Sequence, residues 1–159
     1  MSAPTILVAV PAEEGADRAA AAAVALFGSS AHYRFVHVAE PVPMTPPIAV
    51  TDPAGFAPAG LAPADIEHMS PEERDAMLAS AREVAARAAA QAGVPDAETA
   101  GLYGDPAQAM IHEAIRCGAG AIVIAAHHRS WLDSLLHHSV SHDLEKESPV
   151  PVLVVPAPG

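Results

Sequence analysis

The sequence predicts a doubly wound α/β domain, a single and mainly parallel five-stranded sheet with helices on both faces. Short apolar, β-branched runs alternate along the chain with alanine-rich helical segments, the pattern of successive parallel crossovers. The run Ala121–Ala126 is apolar throughout, as expected for a strand covered on both faces. With 159 residues, 51% of them hydrophobic, the chain is long enough for one domain (1–159) with a substantial core and too short for two ordinary ones.

The first third of the chain predicts a β-α-β unit. Thr5–Val10 is a β-branched and aliphatic run, and Glu13–Phe27 is an alanine-dominated helix with acidic residues at its start, ended by Gly28. Tyr33–Ala39 follows as a second strand. The order and length of these elements are typical of a right-handed parallel crossover.

Residues 40–69 differ from the rest of the chain, because prolines and glycines replace the periodic pattern and predict a long loop. Loops of this length inside compact domains are usually binding lids or mobile segments, and a loop without any functional role is the alternative. The prolines are Pro41, Pro43, Pro46, Pro47, Pro53, Pro58 and Pro63.

Local signals predict the ends of the next three elements. Ser70-Pro71-Glu72-Glu73 is a capping box with proline at the first helical position, and the helix should run to Gln91 and end at Gly93. A weaker strand is predicted at Glu98–Tyr103. Gly104-Asp105-Pro106 then supplies a turn, an N-cap and an N1 proline.

The helix after Pro106 has one apolar stripe, which should face the sheet while His112, Glu113 and Arg116 point outward. The strand Ala121–Ala126 follows, then a helical stretch, and Val150–Val155 is the last strand. The stripe consists of Ala107, Met110, Ile111, Ala114, Ile115 and Gly118, and the apolar residues of the helical stretch are Leu132, Leu135, Leu136, Val140 and Leu144.

Charge and composition exclude several functions. Nineteen acidic against eight basic residues give a formal charge of −11, and no basic patch offsets it, so neither nucleic acid nor an anionic membrane is an expected partner. The amino-terminal segment has no signal-like pattern and no apolar run approaches membrane-spanning length, so we expect a cytoplasmic protein. The single cysteine, Cys117, suits a reducing compartment and is interpreted as a small packing residue without chemistry.

The segment after Ala121–Ala126 has the layout of a phosphate-binding strand, loop and helix, but its loop lacks glycine. Bulky residues stand where the backbone would have to approach a phosphate, which indicates that the ligand was lost or exchanged. Ser139-Val140-Ser141 at the predicted helix start would still favour an anion weakly, although Ser139 is equally well explained as an N-cap. The bulky residues are His127, His128, Trp131, His137 and His138.

Four segments resemble the universal stress protein family, and the resemblance covers nearly the whole chain. It implies a Rossmann-like fold of the adenine nucleotide alpha hydrolase type, a homodimer, a role in stress response and, in many members, an ATP site between the first and fourth strands. The segments are ILVAV near the start, VHVAEP ending the second strand, GDPAQAMIHEAI, and the carboxyl-terminal IVIAAHHRSWLDSLLHHSVSHDLEKESPVPVLVV.

The chain departs from the pattern of the ATP-binding members. Their three motif glycines correspond to Ala125, His128 and His138, and only the following Ser139 matches. Their aspartate after the first strand corresponds to Pro11, which cannot make the adenosine-side contact. The resemblance therefore implies a non-ATP-binding member without a cofactor. The vestigial or altered nucleotide site would comprise Pro11, Ala12, Val38, Ala125, His128, His138, Ser139, Val140 and Ser141.

The histidines suggest two further hypotheses. His138 and His142 are four residues apart and, with His128, are a conceivable zinc site, although surface histidines filling an altered cleft explain the sequence as well, and we assign no metal. Protonation of all nine histidines would change the formal charge from −11 to −2, so a pH-sensing role is a second alternative.

Our first interpretation is a dimeric stress-response module that acts through contacts with an unknown protein partner and is not an enzyme, because no nucleophile stands beside a base. An altered cleft for a nucleotide or small anion, with at most slow hydrolysis, is the alternative, and a zinc-dependent hydrolase is the third. The terminal strand should form the dimer through Val152, Leu153, Val154 and Val155.

Overall fold

The computed structural model describes residues 2–11, 16–39, 69–125, 144 and 146–156. Within these ranges five parallel strands form one sheet in the order β3-β2-β1-β4-β5, which confirms the predicted fold class. The elements are β1 (Thr5–Ala9), α1 (Ala16–Phe27), β2 (His32–Ala39), α2 (Pro71–Gln91), β3 (Glu98–Tyr103), α3 (Pro106–Cys117), β4 (Ala119–Ala125) and β5 (Val152–Val155).

The two strands at the end of the chain begin at different residues from those predicted. β4 starts at Ala119 rather than Ala121, because Gly118 ends α3 in the left-handed conformation (φ 64°) and leads directly into the sheet. β5 starts at Val152 rather than Val150. Its pairing opens with the carbonyl of Pro151, which accepts a bond from the Ile122 N–H (2.9 Å) and needs no donor from the proline.

The predicted caps of α2 and α3 are confirmed. Ser70 Oγ accepts a hydrogen bond from the Glu73 N–H (3.2 Å), and a Glu73 carboxylate oxygen accepts one from the Ser70 N–H (2.9 Å). Asp105 caps α3 by accepting a bond from the Gln108 N–H (3.0 Å). Both helices therefore begin where their side chains satisfy the first free backbone donors.

The sheet has a core on each face, as predicted. Helices α1 and α2 pack on one face, where Val8, Phe35 and Val123 are fully buried beneath their alanines. Helix α3 packs on the other face against Leu7 and Ile122, together with Leu144. Because β1 and β4 contribute buried side chains to both cores, their buried residues form nearly continuous apolar runs.

Helix α2 approaches β3 unusually closely at Gly101. A Cβ atom at this residue would lie 2.1 Å from the Leu78 carbonyl oxygen and 2.9 Å from the Ala81 Cβ. Only glycine leaves room for the helix backbone here, so this residue determines how near α2 lies to the edge strand.

The predicted orientation of α3 was wrong at two positions. Ala107, Met110, Ile111 and Ala114 are buried as expected, but Glu113 is only 5% exposed and Ile115 is 62% exposed. The helix is rotated toward its Glu113 side, because that carboxylate pairs with Arg34 of β2. Exposed His112 and Arg116 agree with the prediction.

The proline-rich segment predicted as a loop at 40–69 lies outside the described residues except for Met69. None of the helices in the described ranges combines the length and the hydropathy needed to cross a bilayer.

Candidate functional site

The order of the strands places a candidate site at the carboxyl end of β1. From β1 the chain first adds β2 and β3 on one side and later adds β4 and β5 on the other. In open α/β sheets ligands bind at this switch point, outside the carboxyl ends of the strands. The described residues nearest to it are Val10 and Pro11 after β1, Val38 in β2 and Ala125 at the end of β4.

Hydrogen bonds hold the chain where it leaves β1. The Val10 N–H donates to the Val36 carbonyl (2.9 Å), and His37 Nδ1 donates to the Val10 carbonyl (2.8 Å). Because a carbonyl oxygen only accepts, this contact requires the proton on Nδ1. His37 therefore fixes the peptide group immediately before Pro11, a role that the sequence pattern did not reveal.

The side chains that end β1 and β4 are closed to solvent. Pro11 is among the fully buried side chains, and Ala125 is 1% exposed. Val38 is half-buried and packs toward the α3 face. Pro11 offers neither a side-chain acceptor nor a backbone N–H, so it supplies no hydrogen-bond donor or side-chain acceptor to a ligand at the end of β1.

The model of the universal stress protein family matches residues 3–156. The chain belongs to the universal stress protein family. A search of curated proteins found no match. The family assignment agrees with the resemblance found in the sequence.

Solved structures similar to this universal stress protein share its fold. The hypothetical protein MJ0577, solved as a test case of structural genomics, aligns with a TM-score of 0.66 at 17% identity, covering 100% of this chain and 99% of that one. A universal stress protein in complex with cAMP aligns with a TM-score of 0.53 at 20% identity, covering 99% of this chain and 100% of that one. The Archaeoglobus fulgidus universal stress protein in complex with dAMP aligns with a TM-score of 0.52 at 19% identity, covering 98% of this chain and 99% of that one.

Most of the predicted nucleotide-site residues of this universal stress protein lie outside the described residues. Among those described, Pro11 follows β1, Val38 lies in β2 and Ala125 ends β4, and these are three neighbouring strands of the sheet. Within the described ranges no three His, Cys, Asp or Glu side chains are grouped to hold a metal ion. The predicted residues that are not described are Ala12, His128, His138, Ser139, Val140 and Ser141, together with His127, Trp131, His137 and His142.

The terminal strand β5 is confirmed as one edge of the sheet. It pairs with β4 over four residues, from Ile122↔Val152 to Ala125↔Val155. Leu153 and Val155 pack toward α1 and Val152 toward α3, whereas Val154 is 47% exposed. One apolar side chain of the four is therefore presented to solvent.

A charged cluster lies at the opposite, amino end of the sheet. Glu113 accepts hydrogen bonds from Arg116 (2.7 and 2.9 Å) and from Arg34, and Arg34 also bonds Glu98 (2.5 Å). The hydrogen bonds from Arg116, and then those from Arg34, hold the pKa of the Glu113 carboxyl below its usual value despite burial. These charges are neutralised by one another, which is the arrangement of a structural cluster.

Cys117 is half-buried beside this cluster, as predicted. Burial raises the pKa of its thiol, and the Sγ–H donates to the Ala114 carbonyl (3.7 Å). A thiol of raised pKa is a poor nucleophile near neutral pH, so this residue fits a packing role.

Proposed function

We propose that this universal stress protein acts as a homodimeric protein-interaction module in the cytoplasm and does not bind ATP tightly. One observation carries the proposal: the position that the ATP-binding members fill with aspartate is here a fully buried proline. A proline cannot accept a hydrogen bond from an adenosine hydroxyl through its side chain. We propose no catalytic role.

The phosphate side of the cleft supports the same proposal. Glycine is favoured there because it adopts positive φ and lets N–H groups approach the phosphates. Ala125 is buried at the first motif position, and the sequence has His128 and His138 at the other two. By the resemblance, His128 and His138 replace glycines of the loop that contacts the phosphates in ATP-binding members.

A second candidate is binding of a smaller adenine nucleotide. Two universal stress proteins with this fold were solved in complex with cAMP and with dAMP, ligands with a single phosphate. Such a ligand has fewer phosphate groups for the backbone N–H groups of the glycine loop to contact than a triphosphate has. This candidate and the first differ in one measurable property, the affinity for a nucleoside monophosphate.

Calorimetric titration tests both candidates. We expect Mg-ATP, cAMP and dAMP each to bind more weakly than a dissociation constant of about 10 μM, which corresponds to about 7 kcal/mol. Protein as purified should also lack the absorbance band of adenine. Tight binding of cAMP or dAMP alone would favour the second candidate, and tight binding of Mg-ATP would overturn the proposal.

A variant that restores the motif provides the matched control. Pro11→Asp combined with Ala125→Gly, His128→Gly and His138→Gly returns the aspartate and the three glycines to the chain. We expect this variant to gain Mg-ATP binding, provided that circular dichroism shows it folded. Pro11→Asp alone should gain less, because the phosphate loop is unchanged.

The dimer is proposed through β5. Val154 presents an apolar side chain at an edge strand, and a second copy would cover it by symmetric pairing. Light scattering at low micromolar concentration should give about twice the 16.2 kDa mass of the chain. Val154→Asp should lower that mass, whereas a monomeric mass for the unaltered protein would overturn this part of the proposal.

A further inference from the structure

We propose that the β3 edge of the sheet binds an extended segment of a partner protein, which adds a sixth strand beside β3. The inference rests on the proposed role in protein contacts and identifies the surface that would serve it. It does not depend on whether the cleft at β1 and β4 binds a nucleotide.

Among the described residues, the backbone of β3 is paired on one side alone. This strand is the other edge of the sheet, and all six of its residues pair with β2 on one side, from Arg34↔Glu98 to Ala39↔Tyr103. In an edge strand every second N–H and C=O points away from its neighbour and is a template for a further strand. Residues 99–102 are half-buried and the strand ends are exposed, so this edge is accessible to a partner.

A groove between α2 and β3 lies beside this edge. Because Gly101 lets α2 lie against β3, helix and strand form an open groove of about 510 Å³, lined by apolar atoms of Leu78, Ala79, Ala86 and Gly101 and by the charged residues Arg82 and Glu83. Side chains of an added strand point alternately to the two faces of the sheet. Those on the α2 face would enter this groove, so strand addition gains apolar burial as well as backbone hydrogen bonds.

Charges at the two ends of the strand favour one orientation of the partner. Glu98 at the start of β3 is 70% exposed, and at the far end the Arg74 guanidinium lies over the Tyr103 ring, 5.4 Å from its centroid. Arg74 Nε has no hydrogen-bond partner among the described residues, and the guanidinium of this half-buried residue would pair with a carboxylate placed at that end. At the groove itself Arg82, whose Nε donates to Thr99 Oγ1 (3.3 Å), is balanced by Glu83, so the preference for a carboxylate comes from Arg74 at the far end.

These features favour a different protein over a second copy of this chain. In a symmetric β3–β3 pair the residues facing the groove would be Thr99, Gly101 and Tyr103 of the other copy, and the central glycine has no side chain to fill it. A partner segment with an apolar residue opposite Gly101 and a carboxylate toward Arg74 fits both features. The order of strands also keeps this edge free when β5 forms the dimer, since β3 and β5 lie at opposite edges.

The two edges differ in their capacity for a further strand. β5 has four residues and is flanked by Pro149, Pro151 and Pro156, which cannot donate to a ladder. β3 has six residues and contains no proline. A long added ladder is therefore better supported at β3 than at β5.

The test uses the full chain and a displayed library of random dodecapeptides. Selected peptides should share an apolar residue next to an acidic one, and their affinity is then measured by fluorescence anisotropy. Ala79→Trp fills the groove, and Ala90→Trp is the matched control, because both alanines are exposed on α2 and only Ala79 lines the groove. We expect at least a tenfold loss of affinity for Ala79→Trp, a severalfold loss for Arg74→Glu and no change for Ala90→Trp.

Two outcomes would overturn the proposal. One is that no peptide is enriched, or that the enriched peptides bind Ala79→Trp as well as they bind the unaltered chain. The other is that Ala79→Trp lowers the mass of the protein in light scattering, which would assign the groove to a second copy. Failure of the ATP titration or of the β5 variant would leave these affinities unchanged, so the two proposals fail separately.

Discussion

At the amino end of the sheet Arg34, Glu113 and Arg116 meet in a hydrogen-bonded cluster, whereas at the carboxyl end Pro11 and Ala125 end their strands with buried apolar atoms. The first region keeps charge in the interior by neutralising it within the protein. The second places buried apolar residues beside the switch point, where open α/β folds bind ligands. Substitutions should therefore change stability at the amino end and binding at the carboxyl end.

The largest expected effect comes from removing the central carboxylate of the cluster. Glu113→Ala should lower the free energy of unfolding by about 2–4 kcal/mol, below the upper range for a broken buried pair because Arg34 keeps Glu98 as a partner. Urea denaturation measures the loss. Glu83→Ala, at an exposed position on α2, is the control and should change stability by less than about 0.5 kcal/mol.

If Glu113→Ala and Glu83→Ala lowered the free energy of unfolding equally, the buried cluster would contribute no more than an ordinary surface carboxylate. That result would contradict the stabilising role assigned to the amino end of the sheet. Glu113→Ala should leave nucleotide affinity unchanged, since Glu113 lies near the amino end of the sheet and the cleft lies at the carboxyl end.

A second, smaller loss of stability is expected where α2 packs on β3. Gly101→Ala places a Cβ 2.1 Å from the Leu78 carbonyl, so the helix must move, and we expect a loss of about 1–3 kcal/mol. Gly120→Ala in β4 is the matched control, because its Cβ would meet nothing closer than 3.8 Å. Thermal unfolding of the two variants should separate a steric cost from the general effect of replacing a strand glycine.

These results also indicate what the sequence could predict. The starts of α2 and α3 were predicted correctly because Ser70, Glu73 and Asp105 act on backbone groups within three residues. Glu113 was placed outward because its partner Arg34 is 79 residues away, and helical periodicity contains no information about such a pair. The close approach at Gly101 was missed for the same reason.

The candidate site, too, was predicted only in part from the sequence. The resemblance predicts that Pro11 and Ala125 are altered positions of a nucleotide site, and in the structure Pro11 follows β1 and Ala125 ends β4. The contact of His37 with the Val10 carbonyl could not be predicted, because it depends on how β1 and β2 pair. Alternation along a strand indicates a face of the sheet, but it does not identify a hydrogen-bond partner.

Acid should weaken the amino-end cluster. The pKa of Glu113 is lower in the folded protein than in the unfolded chain, so its contribution is present above the unfolded value of about 4.5 and is lost as pH falls through the folded value. We expect the free energy of unfolding to decrease below about pH 4.5, and Glu113→Gln to make that decrease shallower. Identical slopes for both proteins would show that other carboxylates account for the acid sensitivity.

The smallest expected effect comes from the cap at the start of α2. Ser70→Ala removes the acceptor of the Glu73 N–H and should cost about 1 kcal/mol. Ser80→Ala in the same helix is the matched control. Ser80 is exposed in the helix interior, where alanine has the higher propensity, so this change should stabilise by a few tenths of a kcal/mol. Opposite signs in urea denaturation would show that the capping box, rather than serine content, holds the start of α2 in place beside Tyr103. If both variants changed stability in the same direction, the cap would not be what anchors this end of the helix.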